Sequence, residues 1–353
     1  MPNLNFLTTH VGSVPHQSAE GLTDTLATLL DIPAWPQLAR KTFHENMYVQ
    51  YSPTLPAVVE DTAKEKIYFD TRTDISSSLE AFYTLILSDD VDAFALRQEY
   101  AAGFFAMLGT LRSMDAKPSS EQIWAKGQVT GPISFGLTVT DQDLRASLYN
   151  ELLADAIIKN AAMNARWQVR QLKTVRPNII LFVDEPYMAS FGSAFISLSR
   201  EQVITMLDEV FDAIHTEGAL SGVHCCANTD WGVLLATKVD ILNLDAYGYI
   251  ENLALYPAEL RAFLDRGGAI AWGIVPNNEE IYRVTAKGLA DRLRNGFRLV
   301  SEKATARGVT INPDEFNEGS LIVPACGLGS TTVQIADHVF EVLLQTGEIL
   351  KAG

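Results

Sequence analysis

The stretch NIILFVD (Asn178–Asp184), continued by REQVITMLDEVFDAIHTE (Arg200–Glu217) and ALSGVHCC (Ala219–Cys226), decides how this chain folds. Two short apolar runs flank a longer segment whose apolar residues recur at helical spacing. Strand, helix and strand in that order form a βαβ unit, which makes the two strands parallel. Working outward, further strand-like runs are Phe6–Ser13, Ile123–Pro132, Val239–Asp245, Ala269–Pro276 and Ser320–Cys326. Helix-like segments lie between them, roughly Leu144–Val175, Trp231–Thr237, Tyr256–Asp265, Ala286–Arg307 and Thr332–Thr346. Seven strands, plus one that the sequence does not place, fit an α/β fold of the (β/α)8 TIM-barrel type, with residues 1–353 as a single domain. An open doubly wound sheet is the competing arrangement. The stretch Pro33–Asp74, with Pro53, Pro56 and scattered aromatics, reads as loops and one strand of unknown position. No internal repeat or low-complexity segment interrupts the pattern.

Composition narrows the function. With 27 Lys+Arg against 43 Asp+Glu, the formal charge is −16, which argues against a surface that tracks nucleic-acid phosphates. Hydrophobic residues make up 47 %, enough for a large core. Met1–Phe6 lacks a charged and then apolar leader, and no apolar run reaches membrane-spanning length. Three cysteines do not make a disulfide framework, so a cytoplasmic protein without membrane attachment is expected.

Two of those cysteines stand where a zinc site needs them. His224 and Cys226 are two apart on a strand-like run, so their side chains share a face and Cys225 points to the other. Cys326, in Pro324-Ala325-Cys326-Gly327, adds a remote thiol. One nitrogen and two sulfurs suit a borderline-soft ion such as Zn²⁺. A structural zinc knot fits less well, because those sites close with four Cys/His ligands at short spacings; ordinary buried thiols are the other alternative. Ser13, Asp184, His224, Cys226, Asp245 and Cys326 all stand at the C-terminal ends of strand-like runs, the end at which barrel enzymes build their sites.

These motifs resemble those of the cobalamin-independent methionine synthase family, specifically its C-terminal catalytic barrel, which shares a superfamily with uroporphyrinogen decarboxylase. The resemblance rests on Gly12-Ser13-Val14-Pro15, Thr130-Gly131-Pro132, Val183-Asp184-Glu185-Pro186, His224-Cys225-Cys226, Asp245 at the end of Ile241–Asp245, and Pro324-Ala325-Cys326-Gly327-Leu328. The matches are collinear and span nearly the whole chain. They imply a zinc-dependent thiol S-methyltransferase of methionine biosynthesis, with zinc on His224, Cys226, Cys326 and Asp245. They also imply that Asp184 holds the amino group of homocysteine and that the Ser13 turn receives its carboxylate. No residue is expected to form a covalent intermediate.

Three departures from the family pattern stand out, and the last two shift the expected donor. The family's carboxylate ligand is Glu and here it is Asp245. The family's long enzymes carry an additional N-terminal barrel that has no counterpart here. Its His-Ser-Pro segment reads Gly273-Ile274-Val275-Pro276-Asn277, without a histidine. These features favour a methylcorrinoid over a folate, as in methylcorrinoid-dependent methionine synthases and methylcobalamin:coenzyme M methyltransferases, with a corrinoid protein as a partner. Rival readings are a decarboxylase of the superfamily and a non-catalytic zinc or corrinoid partner subunit. Asp184 also reads as a helix N-cap ahead of Pro186, Glu185 as a support for neighbouring backbone, and Asn228 and Asp230 as an Asx-type turn. His10 and His16 read as structural, and Trp231 as core.

Overall fold

The computed structural model describes residues 3–114, 123–194 and 196–353. Its strands are β1 (Leu7–Thr8), β2 (Val58–Asp61), β3 (Lys66–Phe69), β4 (Trp124–Thr130), β5 (Asn178–Asp184), β6 (Leu220–Cys225), β7 (Ile241–Leu244), β8 (Ala269–Val275) and β9 (Ser320–Pro324). Seven of them form one curled parallel sheet in the order β1-β9-β8-β7-β6-β5-β4. Neighbours in the chain are mostly neighbours in the sheet, with helices between them, as the βαβ reading requires.

Strand parity divides the core in two. Ile180, Phe182, Ile241, Ala269, Ala271, Leu321 and Val323 pack together on the inner face. Residues of the opposite parity, among them Leu181, Val183, Val223, Leu242 and Ile322, join Val203, Leu207 and Phe211 of the helix Arg200–Thr216 in the layer between sheet and helices. Both faces are therefore buried, which is why the strands read as continuous apolar runs and not as alternating ones. At the C-terminal end, the register sets Thr130, Asp184, His224, Asn243 and Ala271 side by side across β4 to β8.

The two edges, β1 and β4, are bridged by residues 32–37. The Ile32 N–H donates to Thr8 O (3.0 Å) and the Gln37 N–H to Gly12 O (2.9 Å) on one side; the Lys126 N–H donates to Pro33 O (2.9 Å) on the other. Parallel bridges pair Ser13 with Gln37 and Ala34 with Lys126. Pro33 and Pro36 remove two ladder donors, so a continuous strand does not form there. That explains why the sequence pattern does not reveal it.

Other expectations shift for local reasons. The run Phe6–Ser13 pairs regularly only over Leu7–Thr8. The helix expected over Leu144–Val175 begins at Glu151, because the Asn150 side chain caps it by accepting from the Leu152 and Leu153 N–H groups. The unread stretch Pro33–Asp74 contains β2 and β3, an antiparallel hairpin outside the main sheet. Among the described residues, no helix is long and apolar enough to cross a membrane.

Candidate metal centre

β6 delivers His224 and, one residue past its end, Cys226; the loop after β9 delivers Cys326. Their ligand atoms all lie within 4.8 Å of one another, a grouping that could hold a metal ion. His224 Nε2 is 2.8 Å from Cys226 Sγ and 3.8 Å from Cys326 Sγ. The parity expectation holds for the third thiol: Cys225 is fully buried in the layer between sheet and helices. His224 itself is buried, whereas Cys226 and Cys326 keep partial access.

The donor set fits a metal of zinc type on two counts. The hydrogen bond from Cys226, with help from His224 and against burial, draws the Cys326 thiol well below its usual range; the same bond pushes Cys226 up. The pair is thus arranged to hold negative charge on sulfur, the form that ligates metal. In addition, His224 Nδ1 lies 2.6 Å from Asn243 Oδ1, so the ring's other nitrogen is the one turned to the sulfurs. Asn243, the buried partner of this ring, was not singled out by sequence reasoning. Its signal was present: a lone amide in the buried apolar strand Ile241–Leu244.

Asp245 does not join this grouping. Its Oδ1 accepts from the Gly248 N–H at 2.8 Å and caps the short helix Ala246–Tyr249. Burial raises its carboxyl, and the charges of Cys326 and His224 act on it as well. It therefore stands near the cluster, turned to its own backbone.

A cavity of about 360 Å³ opens over the cluster, with Ser13, Tyr48, Asp184, His224, Cys226 and Cys326 in its wall. Larger clefts lie elsewhere, one of them at the other end of the strands, where Gly268 and Gly319 lead into β8 and β9. The smaller one has the reactive groups and sits at the C-terminal ends of the strands, where a parallel barrel presents its chemistry.

Asp184 ends β5 with Oδ1 buried and without a hydrogen-bond partner. Burial pushes its carboxyl up to about 6, against the pull of His224 and Lys126. Lys126, fully buried below it, donates from Nζ to Val11 O (2.7 Å), and burial lowers its ammonium to about 8. The N-cap position ahead of Pro186 belongs to Glu185, not Asp184. Glu185 accepts from the Ile133 N–H (3.0 Å), the Ser134 N–H (2.7 Å) and the Ser134 hydroxyl (2.6 Å), the backbone-supporting part expected of it.

Ser13 packs against the loop that carries Cys326. The Leu328 N–H donates to Ser13 O (2.9 Å) and the Gly329 N–H to Ser13 Oγ (3.3 Å). A Cβ on Gly327 would collide with that hydroxyl and force it to turn from the Gly329 N–H. At Gly12, φ is +149° and a Cβ would sit 2.7 Å from the Gln128 side chain, so this turn needs glycine. His10 is buried against Ala34 O and His16 lies beside Asp337, both away from the metal grouping. Asp230 caps the helix Trp231–Leu235, and Trp231 is core.

Comparison with known proteins adds the fold. No protein-family model matches the sequence, and no curated protein matches it. Among solved structures, the chain is similar to a B12-independent methionine synthase from Shewanella sp. W3-18-1, solved in complex with selenomethionine. The two share 15 % identity with a TM-score of 0.55, and the match covers 98 % of each chain. At that identity the likeness is one of fold alone. The expected methylcorrinoid gains no support from a neighbour described as B12-independent.

Proposed function

We propose that this chain is a zinc-dependent thiol S-methyltransferase with homocysteine as acceptor and methionine as product. The observation that carries the reading is the convergence of His224, Cys226 and Cys326 under a cavity whose wall also contains the unpartnered Asp184 carboxylate. We further read the fold as one complete (β/α)8 barrel, with residues 32–37 as the irregular eighth stave, supported by their bonds to both β1 and β4.

Zinc bound by His224, Cys226 and Cys326 would supply thiol activation, keeping a substrate sulfur in its nucleophilic, deprotonated form at neutral pH. Asp245 is the proposed fourth donor, and leaving the Gly248 N–H is the rearrangement that would free it. Asp184 holds a negative charge at the level of His224, suited to an α-ammonium and unsuited to the sulfonate of coenzyme M. The Gly12-Ser13 turn receives the acceptor's carboxylate, and the hydrophobic floor of Ile180, Phe182 and Ile241 excludes water from below. No protein side chain is required to form a bond to the methyl group.

The proposed donor is a methylcorrinoid, free or on a corrinoid carrier protein. What supports it is the histidine-free segment Gly273–Asn277 at the end of β8. The acidic chain and its three free cysteines support a cytoplasmic setting without nucleic-acid or membrane partners. One assay tests the whole reading: metal analysis of the purified protein, followed by methyl transfer with methylcobalamin and methyl-tetrahydrofolate crossed against homocysteine and coenzyme M. One zinc per chain and methionine formation are expected. A metal-free protein without transfer to any thiol sinks the function, whereas turnover with the folate alone sinks only the donor.

A further inference from the structure

His224, Asn243 and Ala271 occupy adjacent positions on one rung of the sheet, in register across β6, β7 and β8. The Asn243 amide is held at both ends. Its Nδ2 donates to Ala271 O at 2.8 Å, and its Oδ1 lies 2.6 Å from His224 Nδ1. Rotating the amide by half a turn would set oxygen against the Ala271 carbonyl, so the nitrogen is committed to that carbonyl and the oxygen to the imidazole. An oxygen can only accept there, so the proton of neutral His224 belongs on Nδ1. The lone pair is then on Nε2, the atom that faces Cys226 and Cys326.

Burial makes this arrangement stiff. Asn243 is fully buried and His224 is 2 % exposed, so water does not replace either hydrogen bond. The backbone carbonyl that anchors the amide belongs to a regular strand and does not move independently. The amide thereby transmits the position of β8 to the imidazole on β6.

We infer that Asn243 is a positioning residue of the metal centre: it selects the His224 tautomer and fixes the ring so that Nε2 is presented as a ligand. The inference rests on the zinc reading above and goes beyond it, because it assigns the residue that prepares the ligand. It acts through His224 and does not touch metal or substrate. Outer partners of this kind raise ligand basicity and typically contribute 10–100-fold to metal affinity.

The test compares three proteins as full chains: the unmodified protein, Asn243→Leu, which is close in volume and lacks the acceptor, and Asn243→Asp, which keeps an acceptor. Zinc affinity is read by competition with a chromophoric chelator, and ligand geometry by the visible spectrum of the Co²⁺-loaded form. Asn243→Leu is expected to lose about 10–100-fold in affinity and to alter the Co²⁺ spectrum. Asn243→Asp keeps the acceptor for His224 Nδ1 but sets an oxygen against the Ala271 carbonyl, so it is expected to recover part of both. Undiminished affinity in the leucine variant, or equal losses in both variants, overturns the inference. A measurement on the unmodified protein guards against a variant that does not fold. Long-range ¹H–¹⁵N spectra of the metal-free protein, labelled at histidine, report which His224 nitrogen is protonated. A proton on Nδ1 is expected whatever the state of Nε2, and a ring without a proton on Nδ1 overturns the inference. If the unmodified protein binds no zinc but shows the Nδ1 tautomer, the zinc reading fails and the assignment of Asn243 as the tautomer-setting group survives.

Discussion

Two pairs of adjacent residues straddle the C-terminal rim of the sheet: Asp184-Glu185 at the end of β5, and Cys225-Cys226 at the end of β6. In each pair one side chain turns outward and the other turns to the central cavity. The outward members are fully provided for. Glu185 accepts three hydrogen bonds from the first turn of the helix Pro132–Thr138, and Cys225 is sealed in the helix-facing core. The inward members are not: Asp184 keeps an unpartnered buried oxygen, and Cys226 shares a single close grouping with His224 and Cys326. The same functional group, one position apart, therefore has a structural use on one face and faces the cavity on the other. A buried polar group without a partner costs about 1–3 kcal/mol, a cost that a donor entering the cavity would offset at Asp184.

The largest expected effect concerns the thiols. Replacing an inward ligand, as in Cys226→Ala or Cys326→Ala, should abolish stoichiometric zinc and reduce methyl transfer by more than the roughly 10–100-fold expected for a supporting residue. Retention of zinc by Cys226→Ala, together with its loss in Cys225→Ala, would invert the assignment of faces.

The carboxylates come next. Asp184→Asn should raise the KM for homocysteine on the order of 10–100-fold while zinc content stays constant, as loss of a charge-assisted contact predicts. An unchanged KM would place Asp184 outside the acceptor site. Glu185→Ala should behave in the opposite way. It strands buried donors at the helix N-terminus and should cost on the order of 3 kcal/mol in urea unfolding, without direct loss of acceptor binding.

A pH experiment sharpens the same contrast. Burial raises Glu185 from 4.5 to about 7, and Glu45, which accepts from the Ala102 and Leu38 N–H groups, is also raised to about 7. The folded protein thus holds protons that the unfolded chain has already released. Stability from these groups is fully present below 4.5 and is lost as pH rises through about 7. Glu185→Gln should be less stable overall but show a shallower fall in urea midpoint between those limits; an unchanged slope would show that Glu185 does not titrate in this window. The smallest effect is that of Cys225→Ala, a well-filled core site, at about 1 kcal/mol with zinc content unaffected.

Much of this rim was legible in one dimension. Alternation of short apolar runs with helical segments announces a parallel α/β fold, because period and length are local properties of the chain. Strand parity likewise separates Cys226 from Cys225, since alternate side chains on an extended backbone must part. The Gly-Ser turn at Gly12-Ser13 and the capping part of Asp230 were also written in local residue chemistry.

What the sequence by itself determined is therefore the seven strands of the main sheet, their sidedness, and the shared face of His224 and Cys226. Tertiary structure alone decided the rest. Cys326 meets His224 across 102 positions of chain, and Asn243 reaches both His224 and Ala271 only because β6, β7 and β8 fall in one register. It placed residues 32–37 between β1 and β4, where prolines hide any strand pattern. It also turned Asp245 toward the Gly248 N–H, although its position at the end of β7 is compatible with the metal cluster. The physical reason is common to all four. A side chain's local pattern restricts the face it occupies, but the partner it finds there is supplied by strands and loops that only the curled sheet brings together.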